Sequence, residues 1–315
     1  MTTPGSSERP PPLDSAAFSA LYQRLRDATP WGPDDRRGGL NYITPDRVLA
    51  AAAEVRLGRT VTLEAPIETH AAPDNPEPAM DEMTGTGDQA DPGGLTFARD
   101  RLTMNVHGNA DSHIDALCHV MYRGRLYNGV PADTVTSAGA DELSIEMTSN
   151  GIVGRGVLLD IPRLHGVPWL EPGDHVTLDD LTRAEEAQQV RVGEGDLLFV
   201  RVGHRERRNA LGPWDSAATR AGLHPTAMEF VAERKVAALG SDSNNDTSPS
   251  AAEGVDFPVH VLALNAMGLH LLDWLQFDGL VPICADAGRW SFCCVIAPLR
   301  LEHGTGSPVN PIAIL

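Results

Sequence analysis

The chain has 315 residues, 42% of them hydrophobic and 22% charged, which is enough apolar material for a substantial core. Its 43 acidic residues outnumber 25 basic ones, for a formal net charge of −18. That surface repels phosphate backbones and anionic bilayers, so neither nucleic acid nor membrane is an expected partner.

The four cysteines lack paired metal spacing, and the chain opens on no leader pattern. No apolar run reaches the ~20 residues that span a bilayer. A reducing, cytoplasmic location is expected.

Residues 1–15, with Pro10, Pro11 and Pro12, have the composition of a disordered tail. Residues 16–315 read as a single α/β domain, because strand-like and helix-like runs alternate and no linker divides them. Residues 16–29 place Phe18, Leu21, Tyr22 and Leu25 at helical spacing. Thr44 reads as an N-cap with Pro45 at the first helical position, opening a helix to about Val55. Val61 to Leu63 is a strand candidate.

Residues 68–94 are nearly all Pro, Gly, Asp, Glu, Ala, Thr or Met. A loop this polar is either mobile or a lid, and its place before the richest polar motif favours a lid. Further on, residues 156–161 and 196–202 are apolar runs of buried-strand length, and Thr177 caps a helix between them. Residues 225–233 read as a helix. Residues 259–272 are apolar and close on Asp273, and residues 292–299 form another strand in which Cys293 and Cys294 are small core residues.

The chemistry concentrates around His113. If residues 106–115 are extended, His107, Asn109, Asp111, His113 and Asp115 share one face. Burying such a face requires a cation or a dense hydrogen-bond network. Imidazole with carboxylate suits zinc or manganese. A solvated edge strand is the competing reading, against which stand the apolar Ile114, Ala116, Leu117, Val120 and Met121. His119, past a turn, could approach the same spot. Arg201 at a strand end could hold a substrate carboxylate or pair with an acidic neighbour. Asp242 could close a site wall or serve a turn.

The run from Asn109 through His113, Asp115 and His119 resembles the signature of the metal-dependent cyclase/hydrolase family that includes bacterial kynurenine formamidase. Residues 31–35, 127–129 and 304–311 resemble a longer-chain branch of it. The resemblance implies a mixed β-sheet with flanking helices. It implies a metal-dependent hydrolase of a small amide, ester or lactone, cyclic or aromatic. A cyclase or dehydratase of secondary metabolism, moving protons with weak or no metal, is the alternative; a binding protein that kept the fold is a third.

By the same resemblance His113 and Asp115 are metal ligands and His119 is the acid/base. His260 and Asp273, the latter in place of the family's Glu, hold a second metal or orient water. Asn109 occupies the place of the family's first ligand histidine. Its amide oxygen suits manganese better than zinc, and Asp111 or His107 could supply the missing bond. The expected cofactor is therefore a divalent ion, Mn or Zn, and the expected partners are a small-molecule substrate and further copies of the chain in a dimer or tetramer.

Overall fold

Apolar runs too short to be helices and bounded by turns become sheet here, as their length requires. The computed structural model describes residues 10–88 and 93–315. Its main sheet contains β1 (Thr60–Thr62), β2 (His113–Asp115), β3 (Ile152–Asp160), β4 (Leu197–Arg201), β5 (Ala238–Ser241), β6 (His270–Asp273), β7 (Ser291–Ile296), β8 (Gly306–Pro308) and β9 (Ile312–Ile314). They lie in the order β1-β9-β7-β3-β4-β5-β6-β2-β8.

The four central strands, β3-β4-β5-β6, are parallel, and both flanks are antiparallel. Parallel neighbours require crossovers, and helical segments such as Leu178–Ala187 and Ala227–Glu233 provide them. Buried side chains from Phe18 to Leu315 form one continuous cluster. The expected α/β fold with a mixed sheet is what the chain adopts.

Local signals placed several elements well. Helix α1 (Ser15–Asp27) buries Phe18, Leu21 and Leu25, and its Asp14 cap accepts from Ala17 N at 2.7 Å. Thr44 caps Pro45–Ala52 as its sequence predicts. The expected tail needs correction at its end. Residues 1–9 lie outside the described residues, but Leu13 bridges Ala252 and the Pro11 carbonyl accepts from His224.

The polar stretch at 68–94 also differs from the structureless loop expected. Its first part is pinned by Arg208, which binds Glu68 and Asp74. Met80–Gly85 pairs as a hairpin with Arg99–Thr103. Residues 89–92 lie outside the described residues. The predicted strand over 106–115 shrinks to His113–Asp115, because residues 106–112 turn rather than extend.

Arg201 resolves in favour of pairing. Its guanidinium binds Asp160 at 2.7 Å, the Pro168 carbonyl at 3.0 Å and the Glu206 carboxylate, with only 7% of its side chain exposed. It therefore stabilises the ends of β3 and β4. Asp242 is likewise structural: its carboxylate accepts from the backbone of Val202, Gly203 and His204 at the start of His204–Leu211. Removing one partner strands the other's charge in the core. Arg201→Met should lower unfolding free energy by roughly 3–5 kcal/mol in urea titration; a loss under about 1 kcal/mol would mean that Asp160 finds another partner or water.

Candidate active site

Parallel strands leave a crevice beyond their C-terminal ends, and ligands favour it. Here β6 ends on Asp273, and antiparallel β2 brings His113 directly opposite it in register. Two residues along, Asp115 points to the same face as His113. All three side chains are buried.

The ring of His113 is fixed by its own backbone. Its Nδ1 lies 2.9 Å from the Asp111 carbonyl, which can only accept. Nδ1 therefore donates there, which leaves Nε2 facing Asp115 Oδ1 at 3.7 Å. The other Asp115 contact on this side is His107, whose Nδ1 lies 2.9 Å from the same oxygen. His107 Nε2 lies 3.0 Å from Thr305 Oγ1. The next residue, Gly306, makes room for that ring: a Cβ there would sit 2.6 Å from His107 Cε1.

A second group shares Asp115. His260 Nε2 lies 3.4 Å from Asp115 Oδ2 and 3.3 Å from Asp273 Oδ2. Its Nδ1 is held at 2.6 Å by Asp246, which also accepts the backbone N–H groups of Val259 and His260. Asn244 and Asn245 donate to the two oxygens of Asp273 at 2.5 and 2.6 Å.

The electrostatics follow from this packing. Burial alone would raise the Asp115 carboxyl. The charge of His119, the hydrogen bond from His107, the close approach of His260 and the charge of His113 outweigh it and hold the group well below the usual range. Burial would lower His260, but the Asp273 charge, the close approach of Asp115 and the hydrogen bond to Asp246 carry it well above the ordinary imidazole value. His119 stacks on His107 with ring centres 3.7 Å apart. Burial depresses it to about 4; Asp115 opposes that shift, and the neighbouring imidazoles reinforce it.

These side chains suit a divalent cation. His107, His113 and Asp115 form one group, and Asp115, His260 and Asp273 another, each with ligand atoms within 4.8 Å of one another. Asp115 Oδ2 is buried and has no hydrogen-bond partner. An orphaned carboxylate oxygen between imidazoles is where a metal would be satisfied.

A cavity of about 410 Å³ opens onto the site. His113, His119, His260 and Asp273 reach it, with Asn109 on its wall. No described residue of 68–94 lines it, so the expected lid is not a wall of this cavity. Asp111 departs from the sequence prediction: its carboxylate accepts from Glu68 N at 2.8 Å, and only its carbonyl serves the site. The imidazole beside His113 and Asp115 belongs to His107. Sequence reasoning missed Asp246 and Thr305. Cys118 is buried, with its thiol pushed up to about 12, and is inert.

Known proteins share this architecture. The profile of the family described as "Putative cyclase" matches residues 32–245. An isatin hydrolase of Roseibium aggregatum is 27% identical over 152 residues, or 45% of this chain and 53% of that protein. The match thus spans about half the length of that relative. A crystal structure of a novel cyclase superposes with a TM-score of 0.84 at 33% identity, covering 93% of this chain and 99% of that one. Isatin hydrolase A from Labrenzia aggregata, bound to benzyl benzoate, gives a TM-score of 0.58 at 20% identity over 85% and 97% of the two chains, a likeness of fold alone.

Metal titration separates His107 from Asn109. Losing a residue that only supports a ligand costs ~10–100-fold in affinity, so losing a ligand should cost at least the upper end. Calorimetry with Zn²⁺ and Mn²⁺ should show that loss for His107→Ala. Asn109→Ala should lose less than about tenfold, and Asn109→His should gain little, because an imidazole is already in place. Equal losses for the two alanine variants would return the position to Asn109.

Proposed function

The chain belongs to the cyclase family, and on that premise we propose that it is a metal-dependent hydrolase of a small, uncharged, ring-bearing amide, ester or lactone. The observation that carries this reading is the buried Asp115 carboxylate, shared between two imidazole–carboxylate groups at the base of a cavity. His107, His113 and Asp115 would hold the ion; His260 and Asp273 could hold a second beside them. Such an ion acidifies water towards neutral pH and polarises a carbonyl.

The chain's own residues do the rest. His119, neutral at physiological pH because burial depresses it, has a ring nitrogen free to take a proton from attacking water and return it to the leaving atom. Asp246 holds His260 so that Nε2 faces Asp115 and Asp273. Val120, Met121, Val255, Phe257 and Val261 give the cavity apolar walls, and among the described residues neither Lys nor Arg lines it. Those walls support a neutral ring and offer a carboxylate no counter-charge.

Assays on isatin, an arylformamide and an aryl lactone in ¹⁸O-labelled water test this. Hydrolysis predicts label in the product carboxylate and loss of turnover on chelation. His119→Ala should retain the fold and reduce kcat by roughly 10²–10⁴-fold. Turnover without label would point to cyclisation or elimination at the same site, and undiminished turnover in the variant would remove His119 from the chemistry.

A further inference from the structure

Beside the catalytic cavity, on the other side of Tyr122, lies a second cavity of about 380 Å³. Arg26, Arg123 and Arg125 line it together with Tyr22 and Asn128, and among the described residues no Asp or Glu does. In a chain of net charge −18 this is unusual. Most arginines elsewhere meet a carboxylate, as Arg24 meets Glu229 and Arg36 meets Glu142. Arg123 donates only to Ser19 Oγ at 3.2 Å, and Arg125 to the Gly129 carbonyl at 3.3 Å. Neither they nor Arg26 forms an ion pair among the described residues.

The backbone adds a second observation. Tyr122 and Arg125 exchange N–H···O bonds of 2.8 and 3.0 Å across a two-residue hairpin turn. Its central residues have positive φ, +51° at Arg123 and +70° at Gly124. Such a turn favours Gly or Asn at both positions. An Arg held in the left-handed region costs stability, and residues kept there gather at functional sites. The C-terminal turn of α1 suits Arg26 through the helix dipole, and Arg123 lies over the Tyr122 ring, 5.0 Å from its centre, which leaves its charge without a carboxylate.

We propose that Arg26, Arg123 and Arg125 form a binding site, separate from the catalytic cavity, for a compact organic anion bearing a phosphate or clustered carboxylates. Guanidinium forks pair bidentately with either group. All three arginines are exposed and within reach of such an anion.

Calorimetric titration of the full-length protein with glycerol 3-phosphate and with tricarballylate tests the site and separates the two chemistries. At least one should bind in the millimolar range or tighter, roughly, and weaken as salt is added. Arg123→Gln combined with Arg125→Gln should weaken it by about tenfold or more, while Arg99→Gln combined with Arg300→Gln, an equal charge change elsewhere, should leave it within about twofold. Arg123→Gly should weaken binding yet melt no lower than the parent, because glycine relaxes the turn. The proposal fails if neither anion binds at about 10 mM, or if binding survives the double substitution. It also fails if that substitution changes the sedimenting mass and leaves anion binding unchanged, since the arginines would then be a subunit contact.

Discussion

The constraint on which the site depends is the burial of one ionised carboxylate. Asp115 is 1% exposed, on the strand next to one edge of the sheet, and a lone carboxylate there would be prohibitively expensive. Three imidazoles surround it, His107 and His113 on one oxygen and His260 on the other, with His260 also standing between it and the Asp273 carboxylate. Those neighbours in turn need positioning, and each takes it from a residue outside the ligand group. Thr305 and Gly306 position His107, the Asp111 carbonyl orients His113, and Asp246 orients His260. The sheet brings these contributions together, because β2 lies between β6 and β8 and is itself only three residues long.

Much of the fold was legible because its elements carry strong local patterns. The apolar runs at 156–161 and 196–202 sit within or overlap β3 and β4, and the Thr44-Pro45 pair starts its helix where capping chemistry places it. The exposed hairpin of Met80–Gly85 and Arg99–Thr103 was not legible, since neither strand alternates apolar with polar residues against a core. Residues 259–272 were apolar throughout, and periodicity alone could not divide them. They split into a buried π-helical turn, Val261–Met267, and strand β6.

The site was legible in its chemistry and less so in its geometry. His107, Asn109, Asp111, His113 and Asp115 were grouped by assuming an extended strand, but a turn brings His107 back onto Asp115 and rotates the Asp111 carboxylate away to Glu68. Alternation fails wherever the backbone stops alternating. The partners of His107 lie about 200 residues further on and could not be inferred from spacing. Asp246 could not either: it acts by capping a segment that begins at Pro258, so its role exists only after that segment folds back. Arg201 and Asp242 looked like site residues because they end apolar strands, and the same location makes them suitable for buried pairing and capping.

The two histidines facing the cavity show how one cluster can hold opposite protonation states. His260 is wedged among Asp115, Asp246 and Asp273, so losing its proton would leave three carboxylates without a cation between them. His119 is nearly as deep, but no carboxylate touches its ring, which stacks on another imidazole, and burial disfavours a proton there. Groups pushed apart in this way are suited to different tasks. A histidine that keeps its proton balances charge, and a metal ion arriving beside Asp273 would take over that duty. A histidine that stays neutral near pH 7 can accept a proton from water. The division arises from which residues face each ring, so it would persist through changes elsewhere in the cavity wall that alter substrate choice.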